Sequence, residues 1–306
     1  MTRAIWVGWI FIGLLAVGLS TGCKTGPAQP EAGFLAAEES WRADRDRELR
    51  AKDSWLTIAG LFWLSEGENT FGTAASNAIV LPAGSASEKA GIFILNKGVF
   101  SVKALPGVLL TVNGRPAETA VLKDESQGKV DVVGLKSLWM WIIKRDLRFA
   151  IRLRDTNHPA LKSFTKLEYF PASAEFRITG EFHPFPKPEV IRVEAKIVGT
   201  TEMTAVGRVT FVFKSEKYEI EAWQGETAGT IHFVLGDTTN GQETYDGGRF
   251  LDSPLLDGGK IDLNFNRLYN PPCVFSAYAT CPFPPPSNRL PFRVEAGEKM
   301  YHGAGH

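Results

Sequence analysis

Six side chains that could bind an anion lie near the C-terminal end of the 306-residue sequence. They are Tyr245, Arg249, Asn266, Arg267, Asn270 and Arg289. A guanidinium group binds a carboxylate or phosphate through two parallel hydrogen bonds, so three arginines meeting in one cavity would clamp an anion. Gly247 and Gly248 directly precede Arg249 and free the backbone to present it. The alternative is structural: these side chains would bond the carbonyl groups of an irregular segment that has no strand partners.

Three carboxylates in the same region are candidates for a general base. They are Asp237, Asp262 and Glu295. A carboxylate in a cleft could activate water while a nearby arginine stabilises an oxyanion, which makes a hydrolase or a transferase the alternative to a binding protein. The sequence has no His-Glu-x-x-His motif, no phosphate-binding loop and no dinucleotide glycine fingerprint. We expect no cofactor and no metal site.

The histidines are scattered along the chain. They are His158, His183, His232, His302 and His306. His232 stands in the apolar run TIHFVLGD, where a histidine is more often a hydrogen-bonded core residue than a base. We therefore predict that His232 is part of the core.

A proline-rich strap, residues 262–299, contains most of the candidate side chains. Seven prolines between Pro271 and Pro291 are incompatible with regular secondary structure. Aromatic residues such as Tyr269 and Phe275 give the strap more apolar surface than a solvated linker carries. We expect the strap to be ordered by packing against a folded domain.

The first 22 residues have the pattern of a bacterial lipoprotein signal peptide. Arg3 precedes an apolar run, and Leu19-Ser20-Thr21-Gly22-Cys23 resembles a lipobox, whose cysteine is acylated, for example with palmitate, and becomes the mature N-terminus. Residues 23–33 would be the tether. The resemblance implies an anchor on the periplasmic face of the cell envelope, and Lys24, where inner-membrane lipoproteins have aspartate, favours the outer membrane. An uncleaved anchor and ordinary secretion are the alternatives.

The other two cysteines are eight residues apart in the strap. If Cys23 is lipidated, Cys273 and Cys281 remain as a pair in an oxidising compartment, and a disulfide between them is predicted. The alternatives are a reactive thiol and two reduced, buried cysteines. Two cysteines need further ligands to bind zinc, and no histidine lies near them before His302.

The remaining pattern predicts an all-β fold with one N-terminal helix. Residues 34–54 lack Gly and Pro and are rich in Ala, Glu and Arg, which favours an exposed, charged helix. Short alternating runs between turn signals such as Asn113-Gly114 predict strands in residues 55–156 and again in 167–300. We expect two packed antiparallel β domains, each a sandwich or a barrel, and a disordered tail at 301–306.

The clearest alternation predicts a strand at residues 147–154. Leu147, Phe149, Ile151 and Leu153 share one face, and Arg148, Arg152 and Arg154 share the other. We expect the arginine face to be solvated. Binding of an anionic partner is the alternative.

The charge balance argues against nucleic acid as a partner. Lys and Arg together number 34, as do Asp and Glu, and no basic cluster interleaved with aromatic residues occurs. The expected partners are a membrane, through the N-terminal lipid, and a small anionic ligand or a protein of the envelope.

The first β domain resembles the forkhead-associated fold. The order FGTAASNAIVLP, GSASEKAG and VLLTVNG is similar to that fold's succession of strands and loops. Thr73 and Ala90 stand where the arginine and the histidine of its phosphothreonine site would fall. The resemblance therefore implies a β-sandwich without phosphopeptide binding.

Two segments are similar to the domain-of-unknown-function 1684 family of bacterial and archaeal proteins. They are GDTTNGQETYDGGRF with the strap, and WLTIAGLFWLSEGENTFG at Trp55–Gly72. The resemblance implies a fold and boundaries but no activity. Three hypotheses follow: an envelope lipoprotein that binds a small polar or anionic ligand or an envelope partner through its second domain, a hydrolase or transferase, and a structural or interaction protein without a small ligand.

Overall fold

The computed structural model describes residues 32–145 and 147–303. The predicted signal peptide, Cys23, most of the tether and residues 304–306 of the tail lie outside the described residues. In the described part, two helices accompany strands that are almost all antiparallel, which confirms the all-β class. Helix α1 spans Ala32–Leu49 and helix α2 spans Pro159–Ser163. No helix within these residues is long and apolar enough to cross a bilayer.

The first domain is a sandwich of two sheets. Its strands are β1 (Ile58–Trp63), β2 (Gly67–Gly72), β3 (Ile79–Val80), β4 (Gly91–Asn96), β5 (Val99–Ala104), β6 (Leu110–Val112), β7 (Arg115–Ala117), β8 (Thr119–Leu122), β9 (Val133–Leu135), β10 (Leu138–Arg145) and β11 (Arg148–Asp155). One sheet has the order β1-β11-β10-β9-β6-β7, and the other has the order β3-β2-β4-β5-β8. Phe71, Phe93 and Phe100 from one sheet and Met140 and Ile151 from the other form a continuous core between the sheets.

The second domain is a six-stranded antiparallel sheet that nearly closes into a barrel. Its strands are β12 (Arg177–Ala195), β13 (Gly199–Phe213), β14 (Glu216–Gln224), β15 (Thr230–Leu235), β16 (Arg249–Pro254) and β17 (Lys260–Asn264). The order is β16-β15-β14-β13-β12-β17, and an isolated bridge between Leu255 and Ile261 links its two ends. Phe211, Phe233 and Phe265 fill the interior.

The strap is ordered, as predicted, and its central part lies between the two domains. Cys273, Val274 and Phe275 are buried in a separate apolar cluster that also contains residues of helix α1, helix α2 and the outer face of the barrel. The Ser276 hydroxyl donates to the Ile58 carbonyl of β1 at 3.1 Å. The strap therefore joins the second domain to the first.

Tyr301, which the sequence analysis assigned to a disordered tail, is buried in this same cluster. Its ring packs against Phe164 and Phe275, with ring centroids 5.7 and 5.3 Å apart. An aromatic side chain next to two others buries enough apolar surface to order a short terminal segment. The expectation of disorder was wrong at this position.

Helix α1 is largely exposed, as predicted, but buried ion pairs attach it to the strap. The Glu38 carboxylate is 1% exposed and accepts hydrogen bonds from Asn264 (2.8 Å) and Arg267 (3.2 Å). Arg45 donates to the fully buried Glu298 of the strap at 3.1 Å. Glu38 and Arg45 thus hold the helix against the strap, so its charged residues are not all part of a solvated face.

Candidate ligand-binding cleft between the two domains

A cleft of about 660 Å³ opens where helix α1, both β domains and the strap meet. Helix α1 contributes Trp41 and Arg45, and the first domain contributes Arg145 and Arg152. The barrel and the strap supply the remaining walls. They include Met203, His232, Phe250, Asp252, Tyr269, Thr280 and Cys281. The cleft therefore combines apolar rings with several charged groups.

Arg152 of β11 is the least satisfied charged group of this cleft. It is only 6% exposed, and no acceptor among the described residues bonds its Nε or Nη2 atoms. Burial, with repulsion from Arg145, lowers the pKa of Arg152 to about 10. The arginine face of β11 was expected to be solvated, but the second domain covers it at this residue. Burying a guanidinium without acceptors is costly, so a negatively charged group would be stabilised here.

The neighbouring Arg145 already has partners. Its Nε donates to the Thr280 hydroxyl of the strap at 2.8 Å, and its guanidinium is paired with Glu125 of the first domain. Arg145 thus helps to hold the strap against the sandwich. The unoccupied donors on this wall belong to Arg152.

The barrel and the strap line the cleft with a hydrogen-bonded chain of His232, Asp252 and Tyr269. His232 on β15 lies directly across from Asp252 on β16, and its Nδ1 is 2.8 Å from Asp252 Oδ1. The Tyr269 hydroxyl donates to Asp252 Oδ2 at 2.7 Å. Ile231 and Phe233 point into the barrel, so alternation turns His232 outward to the cleft. His232 is hydrogen-bonded, as predicted, but it is half-buried at the cleft and is not one of the buried core residues.

The environment of this chain favours an ionised Asp252. Burial acts to raise the pKa of the Asp252 carboxyl, but the hydrogen bond and charge of His232 and the bond from Tyr269 outweigh it, so this pKa lies below its usual value. Burial and the negative charge of Asp252 raise the pKa of Tyr269 well above its usual value, so its hydroxyl remains a donor. The Arg45 guanidinium lies 4.7 Å from the centre of the Tyr269 ring.

The three candidate anion-binding arginines lie in three separate places. Arg249 is fully buried and donates to Asp237 Oδ2 (2.8 Å) and to strap carbonyls, including that of Val294 (2.9 Å). Arg267 pairs with Glu38 of helix α1. Arg289 is exposed beside Gly236. None of the three lines the cleft, and the contacts of Arg249 are those of the structural alternative, a clasp on the strap.

The predicted amide and tyrosine ligands also have structural partners. Asn266 bonds the backbone of Ser173 through both its oxygen and its nitrogen, at 2.9 Å each. Asn270 donates to the Lys299 carbonyl at 2.8 Å. The Tyr245 hydroxyl accepts a hydrogen bond from Lys196 at 3.1 Å. These side chains organise the strap and its surroundings.

The three candidate catalytic carboxylates are not in the cleft. Asp237 is buried in its ion pair with Arg249. Asp262 pairs with Arg177 on the outside of the barrel, and Glu295 is exposed and pairs with Arg293. The carboxylates that line the cleft include Asp252 and Glu226, which the sequence analysis did not single out.

Cys273 and Cys281 are free, buried thiols, so the predicted disulfide is not present. The Cys281 sulfur instead accepts a hydrogen bond from the Cys273 backbone at 3.2 Å, and the Cys273 thiol donates to the Tyr245 hydroxyl at 3.5 Å. The hydrogen bond with Cys281 lowers the pKa of Cys273, whereas burial raises that of Cys281. In the described part of the chain, no group of three His, Cys, Asp or Glu side chains is placed to hold a metal ion.

The sequence contained partial signals for the cleft. Arg152 belongs to a regular arginine face, a pattern for which an anionic partner is the alternative to solvation. Tyr269 stands in the strap. His232 and Asp252 carried no signal as a pair, because their contact depends on the register of β15 against β16, which the sequence does not show.

These features define a two-domain all-β protein whose strap closes an arginine-lined cleft between the domains. The family described as "Protein of unknown function (DUF1684)" matches residues 162–299, the second domain with its strap. The chain belongs to this family. The segment Trp55–Gly72, also identified as similar to the family, lies outside the matched range. No curated protein matches the chain.

Several solved structures are similar to parts of the chain. An uncharacterized protein of Haloarcula marismortui, solved by solution NMR, is 30% identical, with 45% of this chain and 78% of that chain covered and a TM-score of 0.39. The FhaA FHA domain complexed with an intracellular domain is 21% identical, covering 31% of this chain and 97% of that one, with a TM-score of 0.23. An FHA-2 domain of a Mycobacterium tuberculosis ABC transporter is 26% identical, with 29% of this chain and 77% of that chain covered and a TM-score of 0.23.

Proposed function

We propose that the cleft between the two domains binds a small organic anion through Arg152. The observation that carries the proposal is the buried guanidinium with two unoccupied nitrogen donors on the wall of a cleft. Both nitrogens are covered in this conformation, so the guanidinium would turn toward the cleft on binding. A carboxylate or a phosphate could then accept from both nitrogens, because the donors of a guanidinium are arranged as a fork. The ligand would replace the hydrogen bonds that Arg152 lost on burial.

The shape and lining of the cleft support an organic ligand over an inorganic ion. A volume of about 660 Å³ lies within the range of roughly 300–1,000 Å³ found for small-molecule sites. Trp41, Trp55, Met203 and Phe250 supply apolar surface for the body of such a ligand. The ligand class is therefore a carboxylate or phosphate attached to an apolar or aromatic group.

The site proposed here differs from the one predicted from the sequence. The arginine that binds the anion comes from the first domain, whereas the residues predicted from the sequence belong to the second domain. Helix α1, the strap and both domains all contribute, so the site exists only in the assembled chain.

Ligand binding is tested by thermal shift and calorimetry with benzoate, phenyl phosphate and hexanoate, and with neutral benzamide. We expect at least one of the anions to raise the melting temperature and benzamide to have no effect. Arg152→Met should raise the Kd of the anion at least tenfold and remove the thermal shift, since the anion loses its charged partner. Arg148→Met is the matched control, because Arg148 is on the same strand but exposed and outside the cleft. Equal binding by the wild type and the Arg152 variant would exclude the proposal.

We further propose that the protein is an envelope lipoprotein acylated at Cys23, as the lipobox-like segment indicates. Two or more acyl chains would hold it stably on a membrane. In cells that process lipoproteins, we expect labelled palmitate to be incorporated into the wild type and not into Cys23→Ser. The serine variant should move from the membrane fraction to the soluble fraction. Cys273→Ser is the control and should keep its label, and a labelled Cys23→Ser protein would contradict the proposal.

A further inference from the structure

We propose that the cleft is an active site in which His232, oriented by Asp252, acts as a general base in the hydrolysis of a carboxylic ester that carries an anionic group. This inference rests on the proposed function, because Arg152 would hold the anionic group of the substrate. It assigns a reaction to His232 and Asp252, which line the same cleft as Arg152 and which the anion-binding proposal leaves unused.

The orientation of His232 is the first observation. A carboxylate can only accept, so the 2.8 Å contact with Asp252 places the ring proton on Nδ1 and leaves a lone pair on Nε2. The ring packs against Phe250, with centroids 4.9 Å apart, and its centroid is 6.5 Å from that of Trp223. Among the described residues, none bonds Nε2. The basic nitrogen is thus available on a side chain that lines the cleft.

The support behind His232 is the second observation. Asp252 is itself fixed by the Tyr269 hydroxyl, and the Tyr269 ring lies against Arg45, which is paired with the buried Glu298. When His232 takes up a proton, the ionised Asp252 stabilises the imidazolium. This carboxylate–histidine pair is arranged for proton transfer, which contributes typically about 10²–10⁴-fold to a rate.

The reaction follows from these positions. His232 Nε2 removes a proton from water, the water oxygen bonds to the ester carbonyl carbon, and the carbonyl π electrons move onto its oxygen. The intermediate then collapses, the bond between the acyl carbon and the ester oxygen breaks, and the leaving oxygen takes the proton from His232. One ester and one water give one acid and one alcohol, and the protein is unchanged. Water is the nucleophile, because no described serine or cysteine bonds His232.

The test uses the full chain with 4-acetoxybenzoate, which has a carboxylate away from its ester, and with neutral phenyl acetate. We expect the wild type to release 4-hydroxybenzoate and to prefer the anionic ester. His232→Gln and Asp252→Asn should each lower kcat by about 10²-fold or more while benzoate still binds. His183→Gln is the control, because His183 contacts Thr210 at 3.0 Å on a different part of the barrel and should not change the rate.

The outcomes separate the two proposals. If benzoate binds but the wild type hydrolyses 4-acetoxybenzoate no faster than His232→Gln, the hydrolytic proposal is overturned and anion binding stands. If neither the binding of benzoate nor the hydrolysis of 4-acetoxybenzoate changes in Arg152→Met, the anion-binding proposal fails as well. Tyr269→Phe is the second variant should His232→Gln fail to fold. It removes only one hydrogen bond to Asp252, and an unchanged kcat in that folded variant would also overturn the proposal.

Discussion

Arg249→Met is expected to lower the free energy of unfolding by about 3–5 kcal/mol, the usual loss when one partner of a buried ion pair is removed. Asp237, whose side chain is 2% exposed, would be left with an uncompensated charge. The carbonyls of Val294, Ala296 and Glu298 would also lose their donor. Since these carbonyls belong to the strap, the end of the strap should detach as the barrel loses stability. Urea denaturation followed by tryptophan fluorescence measures the change.

Two further variants make the result specific. Arg249→Lys keeps the charge but lacks the guanidinium fork, so we expect an intermediate loss of about 1.5–3 kcal/mol. Arg208→Met is the control, because Arg208 forms a 2.8 Å pair with Glu219 in which the side chains are 56% and 49% exposed. Such surface pairs contribute about 0–1 kcal/mol. A loss for Arg249→Met no larger than that for Arg208→Met would show that the clasp is not important for stability.

Arg152→Met is expected to change stability in the opposite direction, raising the free energy of unfolding by about 1–3 kcal/mol. Burial and repulsion from Arg145 lower the pKa of Arg152 to about 10, well below its usual value, and this difference corresponds to about 3 kcal/mol of unfavourable interaction with the charged form. Because the folded-state pKa is below the unfolded one, this cost is present in full at neutral pH and is relieved only as the pH rises through about 10. Methionine keeps most of the packing of the aliphatic stem without the charge.

The result is measured by urea denaturation without ligand at neutral pH. Arg148→Met, on the exposed part of the same strand, should change stability by less than about 1 kcal/mol. A more stable Arg152→Met protein that no longer binds benzoate would show that the chain retains a destabilising arginine for its ligand, a trade-off common at functional sites. If Arg152→Met is instead less stable than the wild type, the guanidinium has structural partners that the proposed site does not include.

Local patterns were sufficient for most of the fold. The strand predicted at residues 147–154 corresponds to β11, since alternation with a period of two depends only on neighbouring residues. The turn predicted at Asn113-Gly114 lies between β6 and β7, where Asn113 and Gly114 have φ of 51° and 77°. The strap is ordered because its aromatic and apolar residues are buried between domains. In each case the decisive contacts are encoded by composition over a short segment.

The contacts of the charged residues were much less predictable. Glu38 and Arg45 belong to a helix whose composition indicates solvent exposure, yet both are paired with the strap more than 200 positions away. Arg249 has the sequence surroundings of a ligand-binding arginine but is used as a clasp. A charged side chain has the same local pattern whether water or a distant segment covers it, so its role depends on long-range packing.

The sequence by itself determined the all-β class, the family and the presence of an ordered strap, because these follow from periodicity and from segments read in order along the chain. Only the tertiary structure decided where the cleft lies and which residues line it. Alternation shows that Arg152 and His232 lie on the outer faces of their strands, but not that both side chains line one cleft. That arrangement arises from the packing of two domains, a helix and the strap, and none of these contacts is local in the chain.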